Sequence, residues 1–274
     1  MKVLITAGGT SENIDSVRKI TNTSTGRLGS LISSEFIGMG AEVTYITVKS
    51  AASPAPGCNV HYIQTAQDLY DIMRRLLSEN KYDIIVHAMA VSDYTVERVT
   101  SLHELYDMFK SSCNAGLSKD EFINAVQSGE FGRQTGSTEN GECIKNSDAN
   151  AEGDNVWGNA GKLSKLPSGV EDSVIILKPT KKVISLIKEL CPNSILFGFK
   201  LLAGADIDTL YKRASELAEK NNCDYMIAND ITGINGDKHE AFIISKAGDV
   251  IRCSTKQDIA GKIADIAREQ CKIF

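Results

Sequence analysis

No run of apolar residues in this chain approaches the roughly 18 to 20 that a membrane-spanning helix needs, so a helical membrane protein is not expected. A surplus of positive charge is missing as well. Against 35 Asp and Glu stand 30 Lys and Arg, a formal net charge of -5, which leaves no basic face for nucleic acid. Cysteines are present at 58, 113, 143, 191, 223, 253 and 271, but they are odd in number and scattered, with no C-x-x-C pair and no Cys/His group at zinc spacing. The four histidines (61, 87, 103 and 239) do not cluster either, and His87, inside an apolar run, reads as a satisfied core residue. Met1 is followed directly by a charged residue and a strand, without the apolar stretch of a signal peptide. The expectation is a cytoplasmic protein with free thiols.

What the chain does have is enough apolar material, 42% of 274 residues, for one large α/β domain or one domain carrying an insertion. Strand and helix patterns alternate along it. Val3 to Ile5, Glu42 to Val48, His61 to Ile63 and Asp83 to Ala88 read as strands, with helices over Leu28 to Met39 and Ala66 to Ser78 between them. The alternation resumes with strands at Ser173 to Leu177, Ile195 to Phe199 and Tyr225 to Ala228, and helices at Lys182 to Leu190 and Ile207 to Asn221. Ala241 to Ser245 with Val250 to Cys253 reads as a hairpin, and Lys256 to Glu269 as a last helix. Continuous apolar strands separated by helices require a parallel sheet covered on both faces. The fold class is therefore α/β, a doubly wound, Rossmann-like, mostly parallel sheet with an antiparallel edge hairpin.

Residues 98–160 interrupt this order, and the chain is read as a single domain, 1–274, with that interval as an insertion or lid. Leu102 to Phe109 is amphipathic, and Ser118-Lys119-Asp120-Glu121 is a capping box ahead of Phe122-Ile123. Gly129 to Gly161 is dominated by Gly, Asn, Ser, Asp and Glu, a composition that cannot bury enough apolar surface to offset its ordering entropy. The expectation is a long flexible insertion, either a functional lid or a disordered stretch. Trp157, the only tryptophan, is read as a lid anchor or as an ordinary loop residue.

The opening, MKVLITAGGTSENIDSVRKITNTSTGRLGS, places two clusters of small polar residues behind one strand: Gly8-Gly9-Thr10, and Thr21 to Gly26 just before the first helix. Glycines let the backbone approach an anion, and a helix start carries partial positive charge, so phosphate is the natural guest. Gly8-Gly9-Thr10-Ser11-Glu12-Asn13 nevertheless lacks the third glycine of G-x-G-x-x-G and does not lead straight into a helix, so the dinucleotide fingerprint fails on spacing. Two loops with two partners are expected instead.

These residues closely resemble the phosphopantothenoylcysteine synthetases of coenzyme A biosynthesis. The resemblance rests on Ile14 to Arg18 and Ile20 to Gly26, then on Ala90-Val91-Ser92-Asp93-Tyr94, similar to the family's A-V-A-D-Y. Gly161-Lys162-Leu163-Ser164-Lys165 is similar to its G-K-I-K-K flap, with Ser164 where the motif has lysine, and Lys178-Pro179-Thr180 to the segment before the next helix. Gly198-Phe199-Lys200-Leu201 and Asp224 to Asp230 extend it to both halves of the sheet. It implies a ligase that joins 4′-phosphopantothenate to L-cysteine through an acyl-nucleotide, releasing a nucleoside monophosphate and pyrophosphate, with CTP or ATP as co-substrate and Mg2+. Such a site needs donors and cations more than a protein nucleophile.

The resemblance also assigns roles. Asn22 is the amide that follows the acyl oxygen from carboxylate to mixed anhydride without a charge penalty; an Asx turn is its structural alternative. Lys165 closes over the nucleotide, with Lys162 as a second cation. Gly8, Gly9, Thr10, Ala88, Met89, Asp93, Phe199 and Lys200 are expected to bind nucleotide. Asp93 alternatively caps a helix, and Phe199 alternatively packs in the core. Arg18, Ser24 and Gly26 are expected to bind substrate, and Arg18 alternatively braces its loop through Asp15. Asn229-Asp230 ends a further strand or caps the turn after it. A homodimer is implied, as is a separate decarboxylase, since no flavin domain is recognised in the sequence.

Two rival classes are a non-catalytic nucleotide-binding module and a short-chain dehydrogenase. Tyr45-Ile46-Thr47-Val48-Lys49 does give Y-x-x-x-K, but on a strand rather than on a helix beside a nicotinamide.

Overall fold

The structure is a computed structural model and describes residues 1–128, 158–159, 172–204, 206–235 and 238–271. Expectations for Gly129 to Trp157, and for the flap lysines Lys162 and Lys165 with Ser164, fall outside the described residues.

The first half runs β1 (Lys2–Gly9), β2 (Ser11–Asn13), β3 (Lys19–Thr21), α1 (Arg27–Gly38), β4 (Glu42–Val48), β5 (Asn59–Ile63), α2 (Ala66–Glu79), β6 (Ile84–Ala90), β7 (Tyr94–Ser101), α3 (Leu102–Asn114) and α4 (Lys119–Ser128). It continues with β8 (Gly158–Asn159), β9 (Ser173–Pro179), α5 (Val183–Leu190), β10 (Ile195–Leu202), α6 (Ile207–Lys220), β11 (Tyr225–Asn235), β12 (Lys238–Ser245), β13 (Val250–Thr255) and α7 (Lys256–Gln270). Eight strands form one sheet in the order β13-β12-β11-β10-β6-β1-β4-β5. It is parallel from β5 to β11, and β12 and β13 add the expected antiparallel edge. None of the described helices is long and apolar enough to cross a membrane.

Period-two alternation along the inner strands sends neighbouring residues to opposite faces. Leu4, Ile46, Ile85, Leu196 and Met226 meet Leu69 and Met73 of α2, Val183 and Ile187 of α5, and Leu210 of α6. Val3, Ile5, Tyr45, Val86 and Phe197 meet Ile32 and Phe36 of α1 and Ile259 and Ile263 of α7. Helices α2, α6 and α7 start where short polar side chains satisfy backbone donors. Thr65 and Asp68 form a reciprocal capping box on α2, Asp206 caps α6, and Thr255 caps α7.

The chain divides into two compact units: Met1–Ser11 with Thr21–Asp93 and Thr180–Phe274, and Glu12–Ile20 with Tyr94–Pro179. The first holds the eight-stranded sheet. In the second, β7 pairs antiparallel with both β8 and β9 in a separate three-stranded sheet. One sequence expectation is corrected by this pairing: Ser173 to Leu177 is not a strand of the doubly wound sheet but pairs with β7, which runs across residue 98 to Ser101. The misreading has a physical cause: β7 carries Glu97 and Arg98 among its apolar residues, and only a distant partner strand makes that pattern a strand. The expected capping box at α4 is present, with Glu121 N–H donating to Ser118 Oγ and Ser118 N–H to the Glu121 carboxylate.

Candidate active site

β1 lies between β6, with its chain continuing to one side of the sheet, and β4, continuing to the other. Strand order reverses there, and the carboxyl ends of β1 and β6 are where an open α/β sheet binds ligands. Gly8 and Gly9 belong to the end of β1 itself rather than to a loop after it, paired in register with Met89 and Ala90. Gly8 has φ +92°, a value that side chains disfavour. A Cβ on Gly9 would lie 2.5 Å from the Asn22 carbonyl oxygen, so glycine is what lets the second cluster close on the first.

The two clusters of the opening therefore meet. Asn22 N–H donates to the Thr10 carbonyl at 3.2 Å, and its Nδ2 donates to the Ala90 carbonyl at 3.0 Å. Gly26, at φ +72°, precedes the first residue of α1 and offers no side-chain cap, and Ala52 N–H donates to Thr25 O at 2.9 Å. Arg27 N–H, the first of α1, donates to Thr25 Oγ1 at 3.4 Å, and the start of the helix carries the positive end of a dipole. Ser24 lies half-buried between Asn22 and Gly26.

Thr10 carries the link further. Its N–H donates to Ala90 O at 3.0 Å, while its Oγ1 accepts from Ser92 N–H at 2.8 Å and lies 3.0 Å from Ser92 Oγ. Thr180 then donates from Oγ1 to Ser92 O at 2.6 Å and from N–H to Asp93 O at 2.9 Å. Finally Lys182 Nζ donates to the Asp93 carboxylate. Residues 10, 22, 90, 92, 93, 180 and 182 thus form one bonded rim from three distant parts of the sequence. Asp93 caps no helix here: it faces solvent with Lys182 as its partner.

Ala88 and Met89 sit in β6 opposite Ala7 and Gly8, with Met89 turned into the core. Just below them, His87 Nδ1 lies 2.8 Å from Thr6 Oγ1, and burial pushes its pKa down to about 4. The expected satisfied core histidine is what the structure contains. Phe199 and Lys200 lie in β10 opposite Ile227 and Ala228, where Phe199 packs against the core and Lys200 is half-buried. Asp230 accepts from Thr232 N–H at 2.8 Å, the turn-capping alternative. Arg18 belongs to the second unit and pairs with Asp15 at 3.9 Å, while Asp15 accepts from the Val17 and Arg18 N–H groups at 2.8 and 2.7 Å.

Ser92 and Thr180 stand inside the motifs noted above without an expected role, and Lys182 stands outside them. Their signal in sequence is faint: Ser92 lies 88 residues before Thr180 and 90 before Lys182, and only the fold brings them together. Tyr45 of the Y-x-x-x-K tetrad is fully enclosed on β4, which leaves it unable to serve a nicotinamide in the way a dehydrogenase requires. Among the described residues no group of three or more His, Cys, Asp and Glu side chains is arranged to hold a metal.

The family pattern described as "DNA/pantothenate metabolism flavoprotein C-terminal domain" matches residues 1–104 and 158–270. A crystal structure of the DNA/pantothenate metabolism flavoprotein from Streptococcus pneumoniae is 33% identical, covers 98% of this chain and 99% of its own, and superposes with a TM-score of 0.75. The coenzyme A biosynthesis bifunctional protein CoaBC of Thermococcus kodakarensis is 26% identical over 265 residues, 96% of this chain and 50% of its own length. Its counterpart in Methanocaldococcus jannaschii is 25% identical over 273 residues, 99% of this chain and 51% of its own. The chain thus spans about half the length of these relatives.

Proposed function

The chain belongs to the DNA/pantothenate metabolism flavoprotein C-terminal domain family, and from that premise we propose that it is a phosphopantothenate–cysteine ligase acting through an acyl-nucleotide. The observation that carries the reading is the bonded rim at the ends of β1 and β6, which brings anion-binding backbone, the Asn22 amide and the Asp93 carboxylate to one edge of the sheet. The coenzyme A biosynthesis relatives, aligned along nearly the whole of this chain, point the same way.

The chemistry assigned to the rim is as follows. The phosphopantothenate carboxylate attacks the α-phosphorus of CTP or ATP, the bond to the β-phosphate oxygen breaks, and pyrophosphate leaves. The cysteine amine, deprotonated, then attacks the acyl carbon, an amide forms, and the nucleoside monophosphate leaves. Gly8 and Gly9 let phosphate oxygens approach the backbone closely, and the start of α1 offers them the positive end of a dipole. Asn22, fixed by its bond to Ala90 O, orients the acyl oxygen in both steps, and Asp93 accepts hydrogen bonds from sugar hydroxyls. Lys165 and Lys162 supply the positive charge that offsets departing pyrophosphate. Mg2+ fits as an ion carried mainly by the triphosphate, since it keeps several waters and needs few protein carboxylates. A homodimer completes the reading.

The test is pyrophosphate release. Release over many turnovers should require phosphopantothenate, cysteine and one nucleoside triphosphate together, a single stoichiometric release without cysteine marking the first step alone, and competition between CTP and ATP should name the nucleotide. Nucleotide binding without release would make the chain a binding module instead.

A further inference from the structure

Lys182 stands at the start of α5, where no side chain caps the helix and the first turn carries no acidic residue. A cation is disfavoured at the positive end of a helix dipole. What holds Lys182 there is the Asp93 carboxylate, to which its Nζ donates. The pair is not a stability device. With side chains 62% and 71% exposed, it sits in the class of surface ion pairs whose contribution is close to nothing. The backbones on either side, in contrast, are fastened together, because Thr180 reaches both Ser92 O and Asp93 O. Lys181, the adjacent cation, is directed elsewhere and lies over the Tyr70 ring at 4.6 Å from its centroid. An exposed lysine fixed at its base and bonded to one carboxylate is suited to aim that carboxylate, not to brace the fold.

We propose that Lys182 is a positioning residue for nucleotide recognition: it holds Asp93 in the orientation that accepts hydrogen bonds from the ribose hydroxyls. The inference deepens the proposed function and rests on its placement of the nucleotide at this rim. A carboxylate left without its lysine samples other rotamers, so ordering it on binding costs entropy that the pair otherwise removes in advance.

The experiment compares the wild-type protein with Lys182→Ala and Lys182→Arg, using a ribonucleoside triphosphate and its 2′,3′-dideoxy analogue. Dissociation constants come from calorimetry, and KM and kcat from pyrophosphate release. Lys182→Ala should weaken ribonucleotide binding and raise its KM by about threefold to tenfold, with kcat and the KM for cysteine unchanged. Lys182→Arg should restore the wild-type values. The penalty should vanish with the dideoxy analogue, which has no hydroxyl for Asp93 to accept from. An equal penalty with both nucleotides, or none with either, overturns the role of Lys182. Absence of pyrophosphate release from the wild-type protein overturns the ligase reading instead, while the calorimetric comparison still decides the role of Lys182.

Discussion

Along β6, Ile84, Ile85 and Val86 are fully enclosed, whereas along β9 no residue from Ser173 to Pro179 is buried and exposure alternates for the first five. The polar groups of the two regions differ in parallel. In the β1–β6 seam, Thr6, Thr10, His87 and Ser92 are all buried and all hydrogen-bonded, each to a short neighbour. In the β7–β9 ladder, Arg98 has an 8% exposed side chain, yet its Nε and Nη1 have no hydrogen-bond partner among the described residues, and its Nη2 lies 3.9 Å from Glu104. A seam that, as proposed, holds ligand-binding groups to within a fraction of an ångström is well served by small side chains with little freedom to lose. The ladder tolerates a long cation whose needs are only half met.

The sharpest way to break the seam is Asn22→Asp. The amide donates to Ala90 O, and a carboxylate at that point sets two acceptors against each other. Turnover should fall by about 100-fold or more, a loss of the size that follows from removing one oriented donor. The fold should survive, because Asn22 N–H still reaches Thr10 O. Pyrophosphate release together with circular dichroism checks both halves, and undiminished turnover would remove Asn22 from the mechanism.

Acid should distinguish the regions next. Burial lowers the His87 pKa from 6.5 to about 4, and burial followed by the charge of Lys256 lowers His239 to about 4 as well. Between those values the unfolded chain takes up protons that the folded chain refuses, so stability is full above pH 6.5 and drains away as the pH falls toward 4. His87 alone accounts for at most about 3 kcal/mol of that loss. His87→Asn keeps a polar side chain facing Thr6 without a titrating group, and should flatten part of the slope in urea-denaturation midpoints measured across this range, His239 supplying the rest. An unchanged slope would mean that His87 is protonated in the folded state.

The seam was also the more legible region. β4 falls on its expected residues, β12 and β13 form the expected hairpin, and the glycine- and hydroxyl-rich clusters of the opening, read as two loops with two partners, prove to pack on each other. Such features are local: a buried strand announces itself by an apolar run, and a close backbone approach by glycine. The ladder hides because its strands mix charge with apolar residues and are defined only by each other, Val99 facing Ile175 across 76 residues of sequence. For the same reason Ser92, Thr180 and Lys182 could not be joined before the strands were placed.

Arg98 supplies the smallest effect and the most direct test of why the two regions differ. Burying a guanidinium carries a desolvation cost that one partner at 3.9 Å does not repay. Glu104 does not depend on it, because its carboxylate accepts from Thr100 Oγ1 at 2.5 Å and its N–H is bonded to Ser101 Oγ. Arg98→Met keeps much of the volume and removes the charge, so stability should be unchanged or rise by about 1 kcal/mol. Arg98→Ala removes the same charge but leaves a void, and should be destabilised by about 1 to 2 kcal/mol relative to Arg98→Met. Urea midpoints of the two variants separate charge from packing. If Arg98→Met instead loses more than about 2 kcal/mol, the guanidinium is stabilising the ladder and the contrast with the seam fails.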